Sequence, residues 1–157
     1  MKSILLTVAL FATIFVQKTV AQDSTKNQAS QLLSAYYSIK DALVSSNAKA
    51  AANASEDFIK ALNAADKETV KDEARNALLK DAEVIAKSKD LNKQRETFSN
   101  LSSGMYALAK AVKLSADPVY QQYCPMKKAS WLSSNKAIKN PYYGSAMLTC
   151  GSVKETL

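Results

Sequence analysis

Apolar residues recur at helical spacing through a long central part of the chain, residues 28–113. The span contains one glycine, Gly104, and no proline, so the usual breakers of a helix are nearly absent. Within it, four stripes with steps of three and four positions follow one another. Their members are Leu33, Tyr36, Ile39 and Leu43; Ala51, Ser55, Phe58, Leu62 and Ala65; Val70, Ala74, Leu78 and Ile85; and Leu91, Phe98, Leu101, Met105, Leu108 and Val112. The pattern predicts four helices.

Polar residues indicate where these helices begin. Asn47, Asp66 and Asp90 have short side chains that cap free backbone N–H groups, and each precedes an apolar stripe. Because the connections are short, an up-down bundle of four antiparallel helices is the economical arrangement. We therefore predict an all-α fold.

The chain changes character at residue 115. All three prolines, the only tryptophan, both cysteines and two of the three glycines follow it. The pattern predicts a short extended piece at Val119–Tyr120, a turn at Asn140–Pro141, and a short helix over residues 143–150 that the next glycine ends. Large apolar residues indicate that residues 115–157 fold back onto the bundle as an irregular C-terminal cap that carries the short helix.

The first residues predict export. A positive charge precedes an apolar run, residues 4–16, and Thr19-Val20-Ala21 ends in the small-x-small pattern of a signal peptidase site. The run is too short for a comfortable transmembrane span. We expect residues 1–21 to be a cleaved signal peptide, and residues 22–157 to be one domain that is periplasmic, or secreted if not retained, with no membrane insertion after cleavage.

Charge and composition argue against two classes of protein. The formal charge of +7 falls to about +5 once the signal segment leaves, and the excess lies on isolated lysines. Nucleic-acid modules show arginine clusters or interleaved aromatic residues, whereas arginine occurs here only at Arg75 and Arg95. We expect no nucleic-acid partner. We also expect no enzyme, since the chain has no histidine to serve as the base for a nucleophile.

Four sulfur-bearing residues lie close together in the last quarter of the chain, in Cys124-Pro-Met126 and Met147-x-x-Cys150. Proline restrains the first pair in a turn, and the i, i+3 spacing puts the second pair on one face if that segment is helical. Thiolates and thioethers are soft ligands that select Cu(I), and without histidine the usual nitrogen donors for Cu(II), Ni(II) and mixed zinc sites are missing. The spacing predicts a soft-metal site with Cys124, Met126, Met147 and Cys150 as its ligands.

Neighbouring residues suit such a site. Lys127 and Lys128 adjoin the first pair, and positive neighbours lower the pKa of a cysteine and favour the thiolate. Trp131 is near enough in sequence to lean its ring over a bound cation, a role compatible with anchoring the cap. Tyr120 and Tyr143 are further candidates for contacts around the ligands.

A disulfide is the rival interpretation. In an oxidising compartment two cysteines in one small domain usually pair. Closing the loop between Cys124 and Cys150 would stabilise the fold by roughly 3–4 kcal/mol. Spacing alone slightly favours this disulfide, and both interpretations require the two cysteines to be neighbours.

The tail from Val119 onward, together with the upstream segments YYSIKDALVSSNAKAA and LNKQRETFSNLSSGMYALAK, resembles a domain of unknown function from Gram-negative bacteria. That domain occurs alone behind a signal peptide and at the C-terminus of periplasmic adaptor subunits of heavy-metal efflux systems. The resemblance covers residues 30–155. Its most specific parts are Tyr120, Cys124-Pro-Met126, Trp131-Leu-Ser133, Asn140-Pro-Tyr142-Tyr143-Gly144 and Met147-Leu-x-Cys150-Gly151. It implies copper or silver handling, with a heavy-metal efflux adaptor or pump as a partner.

These observations predict an exported protein that binds Cu(I) or Ag(I) as a carrier, buffer or efflux accessory. The thiolates of Cys124 and Cys150 would be the anionic ligands, and Met126 and Met147 would add thioethers. The alternative is a periplasmic interaction module that binds no metal, in which a Cys124–Cys150 disulfide holds the cap.

Overall fold

The computed structural model describes residues 17–157, so the apolar run of the predicted signal peptide lies outside the described residues. The helices are α1 (Gln17–Val44), α2 (Ala48–Ala64), α3 (Asp72–Lys87) and α4 (Leu91–Ala111). The strands are β1 (Tyr120–Cys124), β2 (Ala129–Ser133) and β3 (Ser152–Thr156), and a 3₁₀ turn, Gly144–Met147, lies between the last two. Within the described range, no helix combines the length and apolarity needed to cross a membrane.

The predicted helical core is present. Each helix packs on the next, α1 on α2, α2 on α3 and α3 on α4, and the apolar stripes face one another in the core. Tyr36, Phe58, Ile85 and Phe98 are all fully buried. Burying such large side chains supplies the main drive for folding, at roughly 25 cal/mol per Å² of apolar surface.

Two of the three predicted helix caps are in place. The Asn47 side chain accepts a hydrogen bond from the Ala50 N–H at 2.9 Å, and the Asp90 side chain accepts one from the Asn92 N–H at 2.9 Å. Asp66 begins no helix. Its carboxylate instead accepts from the backbone N–H of Thr69 at 2.7 Å within a loop, and α3 starts only at Asp72.

The carbonyl ends of the first three helices each receive a long polar side chain from a later helix. Arg95 donates to Leu43 O at the end of α1 (3.1 Å), and Arg75 donates to Ala65 O at the end of α2 (2.8 Å). The Gln94 amide donates to Ile85 O near the end of α3 (3.2 Å). These bonds satisfy carbonyls that a helix leaves without partners. Both arginines of the chain thus have structural partners.

The predicted all-α fold is wrong, because the C-terminal cap contains a three-stranded antiparallel sheet with the strand order β2-β1-β3. β1 and β2 form a hairpin, and β3 pairs with the other edge of β1, with a bulge between Gln121 and Gln122. The short helix predicted over residues 143–150 is only the 3₁₀ turn Gly144–Met147. The architecture is a helical bundle with a small antiparallel sheet.

Polar residues in the strands explain this error. β1 has the sequence YQQYC, with two adjacent glutamines at its centre. Gln122 is nevertheless fully buried, and its amide donates to three carbonyls of the following loop, those of Asn135, Lys136 and Ala137. β3 has the sequence SVKET and is largely exposed, so it shows no alternation of apolar and polar residues. Its shortness, its bulge and its lysine are features that discourage pairing with a further strand.

Aromatic side chains join the sheet to the bundle. Tyr36 of α1 stacks on Phe98 of α4 with ring centroids 5.4 Å apart, and Phe98 contacts Tyr142 of the cap at 6.0 Å. Tyr142 meets the edge of Trp131 in β2 at 5.9 Å. The Tyr36 hydroxyl also accepts a hydrogen bond from the backbone N–H of Leu132 at 3.0 Å. The cap therefore shares one core with the helices.

The Tyr36→Phe substitution is expected to lower the free energy of unfolding by about 1–3 kcal/mol, because it leaves the buried Leu132 N–H without its acceptor. It also removes the 2.8 Å hydrogen bond between the Tyr36 and Ser102 hydroxyls. Tyr37→Phe is the matched control, since the Tyr37 hydroxyl has no hydrogen-bond partner among the described residues. Chemical denaturation of both variants checks this, and equal losses would contradict it.

Candidate functional site

The sheet brings the two cysteines together. Cys124 is the last residue of β1, and Cys150 lies just before β3, whose Ser152 pairs with Tyr123. Their sulfur atoms are 3.0 Å apart, and both are free thiols. Cys124 is fully buried, whereas Cys150 is partly exposed. Solvent therefore reaches the pair from the Cys150 side.

The hairpin turn follows directly after Cys124. Backbone N–H groups of Lys127 and Met126 in this turn help to lower the pKa of the Cys124 thiol. Lys128 completes the turn in the left-handed region, at a φ of 54°. Converging backbone N–H groups form a small anion-binding concavity. The turn therefore favours negative charge on Cys124.

Asn140 connects the turn of the cap to both cysteines. Its side chain is fully buried; Nδ2 donates to Cys150 O at 2.8 Å, and the amide also hydrogen-bonds the Cys124 sulfur. Its Oδ1 accepts from the Tyr142 N–H at 2.8 Å. Sequence reasoning identified Asn140 only as a turn residue. Its side-chain role depends on which residues the fold brings near it, and no spacing pattern signals that.

The surroundings shift the pKa values of the two thiols in opposite directions. Burial opposes ionisation of the Cys124 thiol, but hydrogen bonds from the Cys150 thiol, from backbone N–H groups and from Asn140 outweigh it and hold the pKa of Cys124 below its ordinary value. The pKa of Cys150 is raised, first because its thiol hydrogen-bonds Cys124 and second because it is partly buried. The first negative charge of the pair is therefore favoured on Cys124, with the proton kept by Cys150.

The two methionines lie on segments that contact the cysteines, but their side chains point outward. Met126 is 65% exposed and Met147 is 36% exposed. The backbone N–H of Met126 acts to lower the pKa of both thiols, and the Cys150 N–H donates to Met147 O at 3.0 Å. The structure thus pairs the two thiols and leaves both thioethers on the surface beside them.

The predicted aromatic neighbours are placed differently. Trp131 is buried in β2, and its ring edge lies against Gly151, where a Cβ atom would come within 2.9 Å of Trp131 Cη2. Gly151 also has a φ of 150°, so it is the residue that allows the chain to pass the indole directly after Cys150. Tyr120 sits at the far end of β1, about 13 Å from Cys124 along the strand. The half-buried Tyr143 side chain packs against the hydrophobic core.

Within the described residues, no group of three or more histidine, cysteine, aspartate or glutamate side chains is arranged to hold a metal ion. The thiol pair, with two surface thioethers beside it, is a donor set that suits a soft cation and offers nothing to a hard one.

These features define a class of protein: a four-helix bundle extended by a three-stranded sheet that positions a pair of thiols. Residues 32–117 match a family model described as "Protein of unknown function (DUF3347)", and because the match spans more than half of the chain, the protein belongs to that family. No curated protein and no solved structure matches it. The family match covers most of the bundle and ends before the hairpin, so it includes neither cysteine.

Proposed function

We propose that this protein is exported and binds a soft monovalent cation, Cu(I) or Ag(I), through Cys124 and Cys150. The observation that carries the proposal is the contact between the two sulfurs, at 3.0 Å, beneath a turn whose N–H groups favour a thiolate. Thiolates select soft ions, and the surroundings hold no competing imidazole, since the chain lacks histidine.

The two cysteines would have different roles in binding. Cys124 ionises more easily and supplies the first anionic donor from inside the fold. Cys150 is partly exposed, so the ion would arrive on its side and displace the thiol proton to solvent. Met126 and Met147 lie on segments that contact the pair, and their flexible, exposed side chains are the candidates for additional thioether donors.

The cellular role that fits such a site is a periplasmic carrier, buffer or efflux accessory. Its support is the resemblance of residues 30–155 to domains found in heavy-metal efflux adaptors, together with the signal-like first residues. An efflux adaptor or pump would be the partner that receives or supplies the ion. We propose no catalytic activity.

The alternative function is an interaction module stabilised by a Cys124–Cys150 disulfide. The same sulfur contact favours it, because two sulfurs 3.0 Å apart are already close to the S–S bond length of about 2.05 Å. The exposure of Met126 also favours it, since a thioether that is 65% exposed is not held in a metal site. The redox state of the purified protein separates the two functions.

We expect the reduced protein to bind about one Cu(I) per chain and to bind Zn(II) weakly, since soft donors favour the softer ion. Anaerobic titration against a chromogenic Cu(I) chelator measures this. Thiol alkylation followed by mass spectrometry establishes the redox state before each titration. Oxidised protein is the control and should compete poorly. If reduced and oxidised protein compete equally poorly, the metal function is wrong and the disulfide module stands.

A further inference from the structure

Only one of the two neighbouring cysteines is open to solvent. Cys124 is the last residue of β1 and has no exposed surface, while Cys150 is partly exposed. In the hairpin, Cys124 pairs with Ala129, which is also buried. A reagent that arrives from solvent therefore meets Cys150 first, although the two sulfur atoms are only 3.0 Å apart.

The residues around Cys124 stabilise a negative charge on its sulfur. Backbone N–H groups of Lys127 and Met126 and the amide of the buried Asn140 favour the thiolate, against the opposing effect of burial. A thiolate that is stabilised in this way is also a good leaving group when a disulfide is broken. A bond between the two sulfurs therefore breaks most easily when Cys124 is the sulfur that leaves.

The backbone on both sides of Cys150 is held in place. The Cys150 N–H donates to Met147 O at 3.0 Å, and the Cys150 carbonyl accepts from Asn140 Nδ2 at 2.8 Å. The next residue, Gly151, passes the Trp131 ring with a φ of 150°, a conformation that suits glycine. This backbone keeps the Cys150 sulfur beside Cys124, so the two sulfurs react with each other at a high effective concentration.

We propose that Cys124 and Cys150 form a thiol–disulfide exchange site, at which low-molecular-weight thiols and disulfides react with the exposed Cys150 sulfur while the buried Cys124 is its internal partner. This activity goes beyond the binding of a soft cation. It does not rest on that proposed function, because it belongs to the protein without metal.

Reduction of the pair takes two steps. The thiolate of an external thiol bonds to the Cys150 sulfur, the bond between Cys150 and Cys124 breaks, and its electron pair leaves on Cys124. A second external thiolate then bonds to the external sulfur of this mixed disulfide, and Cys150 leaves as a thiolate that takes a proton from solvent. Two external thiols are oxidised to one disulfide, and the protein pair gains their two electrons.

Oxidation of the pair passes through the same adduct. The Cys150 thiolate attacks an external disulfide and releases one external thiolate, and Cys124 then attacks the Cys150 sulfur and expels the other. Because the Cys124 sulfur lies 3.0 Å away and is favoured as a thiolate, the adduct on Cys150 should be short-lived. It should accumulate only when Cys124 is replaced.

A disulfide that only holds the cap would behave differently. Structural disulfides resist reduction by the glutathione pool, whereas exposed disulfides are the labile, regulatory or catalytic ones. The exposure of Cys150 and the stabilised charge of Cys124 both favour the labile kind.

The first test treats the reduced, metal-free protein with glutathione disulfide and measures the products by mass spectrometry after an acid quench. Wild type should form the internal disulfide with little adduct. Cys124→Ser should accumulate a glutathione adduct on Cys150. Cys150→Ser should react at least about tenfold more slowly, because its remaining thiol is buried.

The two serine variants are matched, since each keeps one thiol. Unfolding both in urea is the control, and their rates should then agree within about twofold, because the protection of Cys124 comes from the fold. Circular dichroism checks that both are folded in the first test.

A second test needs no substitution. Oxidised wild type should be reduced by glutathione without denaturant, and peptide mapping after an acid quench should place the transient adduct on Cys150. Four lysines lie between the two cysteines, so trypsin separates them.

Three results would overturn the exchange site. They are an adduct on Cys124 in folded wild type, equal rates for the two folded serine variants, and a wild-type disulfide that glutathione reduces only after unfolding. The last result would identify a structural disulfide. Failure of the reduced protein to bind Cu(I) would remove the proposed function and would change none of these measurements.

Discussion

Cys124→Ser is expected to lower the affinity of the reduced protein for Cu(I) by at least about a hundredfold. Even residues that only support metal ligands cost about 10–100-fold when they are replaced, and this change removes a ligand together with its negative charge. The structure makes Cys124 the favoured thiolate, because backbone N–H groups and Asn140 stabilise its charge. Competition against a chromogenic Cu(I) chelator measures the loss.

Three other variants test how much each of the remaining sulfur atoms contributes to Cu(I) affinity. Cys150→Ser should also weaken binding strongly, whereas Met126→Leu and Met147→Leu remove a neutral donor at nearly constant volume. Both leucine variants should fold with a loss below about 1.5 kcal/mol, and at least one should show a measurable drop in Cu(I) affinity. Circular dichroism checks that each variant is folded. A Cys124→Ser protein that is folded and binds Cu(I) as tightly as the wild type would rule out the thiol site.

Phe98→Ala is expected to lower the free energy of unfolding by about 3–5 kcal/mol, the range seen when a large buried aromatic side chain is truncated. Phe98 is fully buried and touches both Tyr36 of the bundle and Tyr142 of the cap. The substitution therefore opens a cavity at the junction of the two parts. Urea denaturation followed by far-ultraviolet circular dichroism measures the change.

The same experiment tests whether cap and bundle unfold together. Trp131 is the only tryptophan and lies in the cap, so its fluorescence follows the sheet, while circular dichroism follows the helices. Because they share one core, the two signals should change at the same urea concentration in the wild type. Val84→Ala, at a 36% exposed position on α3, is the control and should stay within about 0.5 kcal/mol of wild type. If the fluorescence of the wild type changes well before its helical signal, the cap is a separate folding unit.

The helices could be predicted from the sequence because their signal is local. The spacing of Leu33, Tyr36 and Leu43 shows which side of α1 is buried, and the core contains all three. Asn47 and Asp90 cap the helices that they were expected to cap. Asp66 also has a short side chain that accepts a backbone hydrogen bond, but it does so within a loop. The sequence does not distinguish this use from the capping of a helix.

The sheet could not be predicted in the same way, since its signals are not local. Gln122 is buried in β1 only because a loop more than ten residues away offers its carbonyls. Val153 of β3 is exposed, so the strand is defined by backbone pairing with β1 and by no apolar pattern. The sequence indicated the sulfur residues themselves, but the outward orientation of the Met126 side chain depends on the shape of the hairpin.

The sheet is completed only when the end of the chain is in place, because β3, the last strand in sequence, pairs with β1. The helices pack on their neighbours in sequence, so each can find its partner as soon as it emerges during synthesis. The thiol pair requires Cys150, which lies 26 residues after Cys124 and beside the last strand of the sheet. Cys124 therefore emerges before its partner exists. Throughout that interval the earlier thiol is open to oxidants and metal ions, so the state of the finished pair depends on the compartment in which the last strand joins the sheet.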